Sequence, residues 1–175
     1  QYTNVTDAIA AAIAGDTLYI HGTNFNYGSF TIDKQLTLIG SGHRPQNQNA
    51  NASIVDIVTF GSGSSGSSVI GFIAERFTSS NTGVANIYIA RNLISVQVSS
   101  TGTSNSDWTI DGNIFTSSGL NISESSISTN TNWRMLNNIF NGYMQSMNAS
   151  YSYFFNNHFF LNGDPIASSV TNCYF

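Results

Sequence analysis

The sequence has little charge, little proline and almost no cysteine. Only 8% of its residues are Asp, Glu, Lys or Arg, against an average near 25%. Five basic residues stand against nine acidic ones, a net charge of -4, which provides no footprint for a nucleic-acid backbone. Cys173 is the single cysteine, so no disulfide can form within the chain. No apolar run reaches the roughly 18 residues that a membrane-spanning helix requires. The chain begins at Gln1 without a basic, apolar leader; a cleaved signal peptide would leave such a start. His21, His43, His158 and Cys173 show no His-x-His or Cys-x-x-Cys spacing, so neither a metal nor a cofactor is expected.

What the chain has in abundance is neutral polarity. It holds 22 Asn, 26 Ser and 16 Thr in 175 residues, with 41% hydrophobic residues beside them. That suits one domain spanning 1–175, with a sizeable core and an amide- and hydroxyl-rich surface. Lys34 is the only lysine. The composition fits an extracellular or cell-surface protein. Sequons at Asn4, Asn51, Asn121 and Asn148 are glycosylation candidates, although a chain so rich in Asn and Ser produces several by chance.

A short helix is expected first, within a cap covering 1–16. Thr6 can cap it, Asp7 suits its positive end and Gly15 can end it. Val5, Ile9, Ala12 and Ile13 fall on one helical face. Beyond Gly15 apolar residues alternate, as in Leu18/Ile20, Phe30/Ile32 and Leu36/Leu38. One unit then recurs: an apolar residue, two spacers, Asn, one spacer, a large apolar residue. It runs from Ile89 to Ile94, Ile110 to Phe115, Met135 to Phe140 and Phe154 to Phe159, with a weaker copy from Ser169 to Tyr174. Ser41 and Phe72 take the Asn position in two earlier copies. The anchors stand at 41, 72, 92, 113, 138, 157 and 172. Their variable spacing near 20 predicts coils of a β-solenoid with loops of unequal length, including Gly42–Ala52 and Thr116–Asn132. The Gly61–Ser68 tract reads as a turn, since the repeat resumes at Val69.

Stacked coils predict two inward columns: Leu38, Val69, Ile89, Ile110, Met135 and Phe154, and Ala74, Ile94, Phe115, Phe140, Phe159 and Tyr174. The anchor Asn residues are expected to form a ladder along a turn, a structural role.

Ala8–Ala14, then Ala14-Gly15-Asp16-Thr17-Leu18-Tyr19-Ile20, then Ile32–Gly42 with its Leu38-Ile39-Gly40, together with the Asn-x-Phe units, resemble the right-handed parallel β-helix proteins of the pectin-lyase-like superfamily. The resemblance covers nearly the whole chain. It implies an all-β, right-handed parallel β-helix of about six to seven coils (17–175) with a short amino-terminal capping helix. It does not select an activity, because the fold carries lyases, hydrolases, adhesins and non-enzymes alike.

The resemblance directs attention to acidic clusters. Family lyases combine acidic calcium ligands with a basic proton acceptor, and family hydrolases use neighbouring aspartates. Seven Asp and two Glu are widely spread here. Asp107, Thr109 and Asp111 alternate onto one outward strand face, with Arg134 stacked on Thr109 one coil along. Asp107, Asp111 and Arg134 are therefore the catalytic candidates, weighed against an ordinary solvated ion-pair cluster. Glu75, Arg76 and Arg91 fall near turns of earlier coils. Trp108 and Trp133 occupy one coil position, as core or as a sugar platform. Ile73, Leu93, Ile114, Ile139, His158 and Cys173 precede the second column and form an outward stripe, unless the turn buries them in part. The last coil ends at Tyr174 and Phe175 inside a repeat unit, so its edge is expected to be covered by another copy, a partner or a downstream segment.

These features favour a non-catalytic extracellular or cell-surface β-helix protein with a structural, adhesive or self-assembling role. The alternative is a polysaccharide lyase or glycoside hydrolase acting on an acidic polysaccharide. A passive binder of carbohydrate or ice ranks third; ice binding calls for Thr columns on a flat face, and Thr17, Thr31, Thr37, Thr59 and Thr109 are not expected to align.

Overall fold

A computed structural model describes residues 1–42, 51–124, 130–145 and 151–160. The chain is an all-β parallel solenoid of about six turns, preceded by one short helix. Helix α1 (Val5–Ala11) is capped by Asn4, whose Oδ1 accepts from the Asp7 amide at 2.7 Å. Thr6, the expected cap, lies inside the helix. The helix stops at Ala11 rather than near Gly15, because Ala12 is already extended. Val5 and Ile9 are buried as expected, whereas Ile13, past the last turn, is 71% exposed. No helix among the described residues is long and apolar enough to cross a membrane.

The coils follow in order. The first holds β1 (Thr17–Tyr19) and β2 (Phe30–Ile32), the second β3 (Thr37–Ile39) and β4 (Ile54–Phe60). The third holds β5 (Ser68–Ile70) and β6 (Ile73–Ser79), the fourth β7 (Tyr88–Ala90) and β8 (Leu93–Ser100). The fifth adds a strand: β9 (Thr109–Asp111), β10 (Ile114–Phe115) and β11 (Leu120–Glu124). The sixth repeats that with β12 (Arg134–Leu136), β13 (Ile139–Phe140) and β14 (Tyr143–Gln145). β15 (Tyr153–Phe155) and β16 (His158–Phe159) open the next. β1, β3, β5, β7, β9, β12 and β15 form one parallel sheet. The others form the second, which bends: β8 pairs with β10 through Leu93 and Ile94, and with β11 through Val98 to Ser100. The segment Thr116–Asn132, expected to be a loop, thus contains a strand.

Corners are made by backbone with positive φ, the left-handed region that disfavours most side chains. One such column is Gly71, Arg91, Gly112, Asn137 and Asn156, just after the first-sheet strands. Another is Gly66, Asn86, Asp107, Asn132 and Tyr151, just before them. The first-sheet strands β5, β7, β9, β12 and β15 therefore each run between two sharp turns.

The anchors fall in register. Ile39, Ile70, Ala90, Asp111, Leu136 and Phe155 are successive partners, which aligns positions 41, 72, 92, 113, 138 and 157 two residues on. Asn113 Oδ1 accepts from the Asn92 backbone amide at 2.9 Å and from the Asn92 side-chain amide at 3.1 Å. Its own Nδ2 donates to the Ile89 carbonyl at 2.9 Å and to Asn138 Oδ1 at 3.1 Å. Asn92 serves Phe72 in this way, Asn138 serves Asn113 and Asn157 serves Asn138. In the second coil Ser53 substitutes, accepting from the Ser41 amide and donating to the Ile20 carbonyl.

Both inward columns are buried as read, from Leu38 to Phe154 and from Ala74 to Phe140, with Phe159 partly buried. In the second column Phe140 stacks between Phe115 at 4.7 Å and Phe159 at 4.9 Å. Tyr174 lies outside the described residues.

Two substitutions test this core. Phe140→Ala is expected to cost about 3–5 kcal/mol in chemical denaturation, as for other buried Phe residues. Asn113→Ala removes the acceptor of the Asn92 backbone amide, while the Asn92 side-chain amide keeps the Val69 carbonyl. At roughly 1–3 kcal/mol for a buried group left unpaired, the loss should be about 1–3 kcal/mol. A loss below about 1 kcal/mol would show the ladder to be dispensable.

Candidate functional site

The strongest polar cluster sits on the outward face of the first sheet. Strand alternation points Ile89 and Ile110 inward and Tyr88, Thr109 and Asp111 outward. Tyr88 pairs with Thr109 in register, so its long side chain reaches diagonally to the end of β9. Its hydroxyl donates to Asp111 Oδ2 at 3.1 Å. Asn137 Nδ2 donates to Asp111 Oδ1 at 3.0 Å, and Asn156 Nδ2 donates to Asn137 Oδ1 at 2.8 Å. Asp111 is thus bound by a phenol from one coil and an amide from another.

This setting moves the Tyr88 phenol up from its ordinary value. Partial burial is the main cause, followed by the hydrogen bond to Asp111 and the carboxylate's charge; Arg91 opposes the shift. A phenol that keeps its proton is a donor that orients Asp111, not a base.

Of the three candidates Asp107, Asp111 and Arg134, the outward strand face holds Asp111 and Arg134 but not Asp107. Asp107 belongs to a turn, with φ 59, rather than to the strand face. Its carboxylate accepts from Asn132 Nδ2 at 3.2 Å, at the opposite end of β9 from Asp111. Arg134 does stack on Thr109 in register, exposed to solvent. The ion pairs among the described residues are Lys34–Asp33 at 3.6 Å and Arg76–Glu75 at 3.8 Å, neither involving this trio. Arg91 occupies a positive-φ corner.

Trp108 and Trp133 are fully buried and stack at 4.9 Å, with 5° between planes. Their Nε1 groups donate to the Val84 and Asn105 carbonyls. Buried indoles offer no platform to a sugar, and of the two roles open to the pair, core packing accounts for both. They flank a second amide ladder that the reading of the sequence missed: Val84 N to Asn105 Oδ1 at 2.7 Å, Asn105 N to Asn130 Oδ1 at 2.8 Å. The signal was present, since Asn105 and Asn130 each stand three residues before a Trp.

The outward row is longer than expected. Ile54, Ile73, Leu93, Ile114, Ile139 and His158 are successive partners, and the five aliphatic members are partly buried rather than fully exposed. Thr residues, expected not to align, do align: Thr17 pairs with Thr37, and Ser68, Tyr88 and Thr109 continue that column. Thr31, Thr59, Thr78 and Ser99 make another. Among the sequons, Asn4 and Asn51 are exposed. Asn121 is fully buried, accepting from the Gly142 amide and donating to the Ser117 carbonyl. His43, Asn148, Asp164, Cys173, Tyr174 and Phe175 lie outside the described residues.

Comparison of the chain with protein families, curated proteins and solved structures finds no match.

The Tyr88 shift has a measurable sign. Difference titration of the chain against its Tyr88→Phe variant should place this phenol above the ordinary range near 10, and Asp111→Asn should bring it down. Because the folded state favours the protonated phenol, the associated stability is present below the unfolded phenol's range. It is lost as pH rises through the folded value.

Proposed function

We propose that this chain is a non-catalytic β-solenoid of the extracellular space or cell surface, with a structural and adhesive role exercised by packing against further copies of itself. The observation that carries this reading is the row Ile54, Ile73, Leu93, Ile114 and Ile139 on the outside of the second sheet. Its members repeat every 4.8 Å or so along the stack, and although each is partly buried, together they leave a continuous apolar strip accessible, the kind of surface that marks contact sites. With 8% charged residues, like-charge repulsion between copies is small.

A lyase or hydrolase of acidic polysaccharides needs groups poised to move protons. Tyr88 is shifted toward keeping its proton, and Asp107 and Asp111 are bound by separate amides at opposite ends of β9. Both observations favour the scaffold. We infer as well a right-handed coil related to the pectin-lyase-like superfamily. The helix followed by Gly15-Asp16-Thr17, the Leu38-Ile39-Gly40 strand and the Asn repeat support it.

Sedimentation velocity over a wide concentration range tests the assembly. The mass should rise above that of a monomer with concentration, and Leu93→Lys combined with Ile114→Lys should return it to monomer with an unchanged circular dichroism spectrum. A strict monomer removes the support for self-assembly. Release of reducing or unsaturated ends from polygalacturonate, abolished by Asp111→Asn, would establish the enzymatic reading instead.

A further inference from the structure

Helix α1 does not seal the first coil completely. A cleft of about 270 Å³ remains between the helix, β1 and the segment 21–27. Val5, Leu18 and Ile20 line it together with Tyr2, Tyr19 and Tyr27. Tyr2 and Tyr19 are 56% and 71% exposed, so two of the three rings are accessible to a ligand. The third is already fixed. The Tyr27 hydroxyl donates to the His21 carbonyl at 3.0 Å, and Phe25 packs edge-on against its ring at 5.2 Å. A preset ring spares a ligand the entropy of ordering it.

We propose that this cleft is a binding subsite for a neutral polysaccharide, with Tyr19 as the ring on which a pyranose stacks. Tyrosine presents an apolar face with a polar tip, as a sugar presents C–H faces and hydroxyl edges. No Asp, Glu, Lys or Arg side chain lines the cleft, so neither an acidic nor a basic sugar finds a permanently charged side-chain partner there. The polar side chains on offer include those of Asn4 and Thr17.

The cleft also opens onto a track. Thr17 and Tyr19 are the outward side chains of β1. Thr37 and Ser68 continue the Thr17 column, and Ile39 and Ile70 continue that of Tyr19. A row of hydroxyls therefore runs beside a row of apolar side chains, one pair per roughly 4.8 Å. Two-sided chemistry of this kind matches an extended glycan chain better than a single sugar. The assignment deepens the adhesive reading and rests on it in one respect, that the bound glycan is not cut.

Titration by NMR and calorimetry with cellohexaose, xylohexaose and mannohexaose, and with hexagalacturonate as the acidic counterpart, tests it. At least one neutral probe should bind, shifting Tyr2, Tyr19 and Tyr27 resonances. Tyr19→Ala should weaken that binding at least about tenfold, while Tyr19→Phe, and Tyr153→Ala at the far end of the sheet, should leave it near the original value. The proposal is overturned if no neutral probe binds at millimolar concentration, if hexagalacturonate binds more tightly, or if Tyr19→Ala has no effect. Failure here with concentration-dependent self-association intact leaves the scaffold reading standing. Binding followed by cleavage of the probe removes that reading and keeps the cleft.

Discussion

A backbone amide that turns into the corner of a coil has no water to bind, and leaving it unpaired is costly. In this chain the side-chain carbonyl of the next coil's Asn answers it. Asparagine suits the position for a chemical reason. Its short, uncharged side chain accepts from one coil's N–H and donates to a carbonyl of that same coil, as Asn92, Asn113, Asn138 and Asn157 all do. An aspartate would bring a buried charge, and a serine has one donor where the amide has two. Fixing this corner fixes the register of the strands on either side. The stacks Phe115–Phe140–Phe159 and Trp108–Trp133 follow from that register, as do the outer rows.

Much of this was legible in the sequence because the corner and its two flanking columns keep constant spacing. The Asn and the large apolar residue two places later recur at a fixed offset, so positions 41 to 157 aligned correctly. The bent part of the second sheet was not legible, because its offset from the anchor varies. The inward partners Phe77, Val98, Ile122 and Met144 fall five, six, nine and six residues after their anchors. No fixed period connects them, so β11 was read as loop. The helix cap was misread for a simpler reason: Asn4 and Thr6 are both good caps, and only geometry shows which side chain meets the Asp7 amide. For the candidate site, parity put Asp111 and Arg134 on the outer face correctly. It misplaced Asp107, because parity assumes extended backbone and Asp107 has turned out of it.

The outside of the molecule inherits its order from the inside. Coils locked in register place like residues above like, so the hydroxyls of Thr31, Thr59 and Thr78 line up, and so do the aliphatic groups from Ile54 to Ile139. Irregular side chains on a regular lattice would make a patchwork; like side chains make rows. Rows are what the proposed partners would read, a sister molecule along the aliphatic row or a glycan along the separate row of Thr17, Thr37 and Ser68. With few charges to set orientation, shape and repeat distance are left as the main sources of selectivity.

The unequal loops between the corners carry a different implication. The chain spends 31 residues between the anchors at 41 and 72 and only 19 between 138 and 157, yet both pairs stack in the same register. Length is constrained inside a corner and free outside it, and each coil touches only its neighbours. In evolutionary terms the molecule is a tape rather than a fixed object. A duplicated coil finds its ladder partners waiting above and below, and an inserted loop leaves them undisturbed. A lineage carrying this fold can therefore extend its reach one coil at a time, about 4.8 Å per step, while the core of every other coil stays as it was.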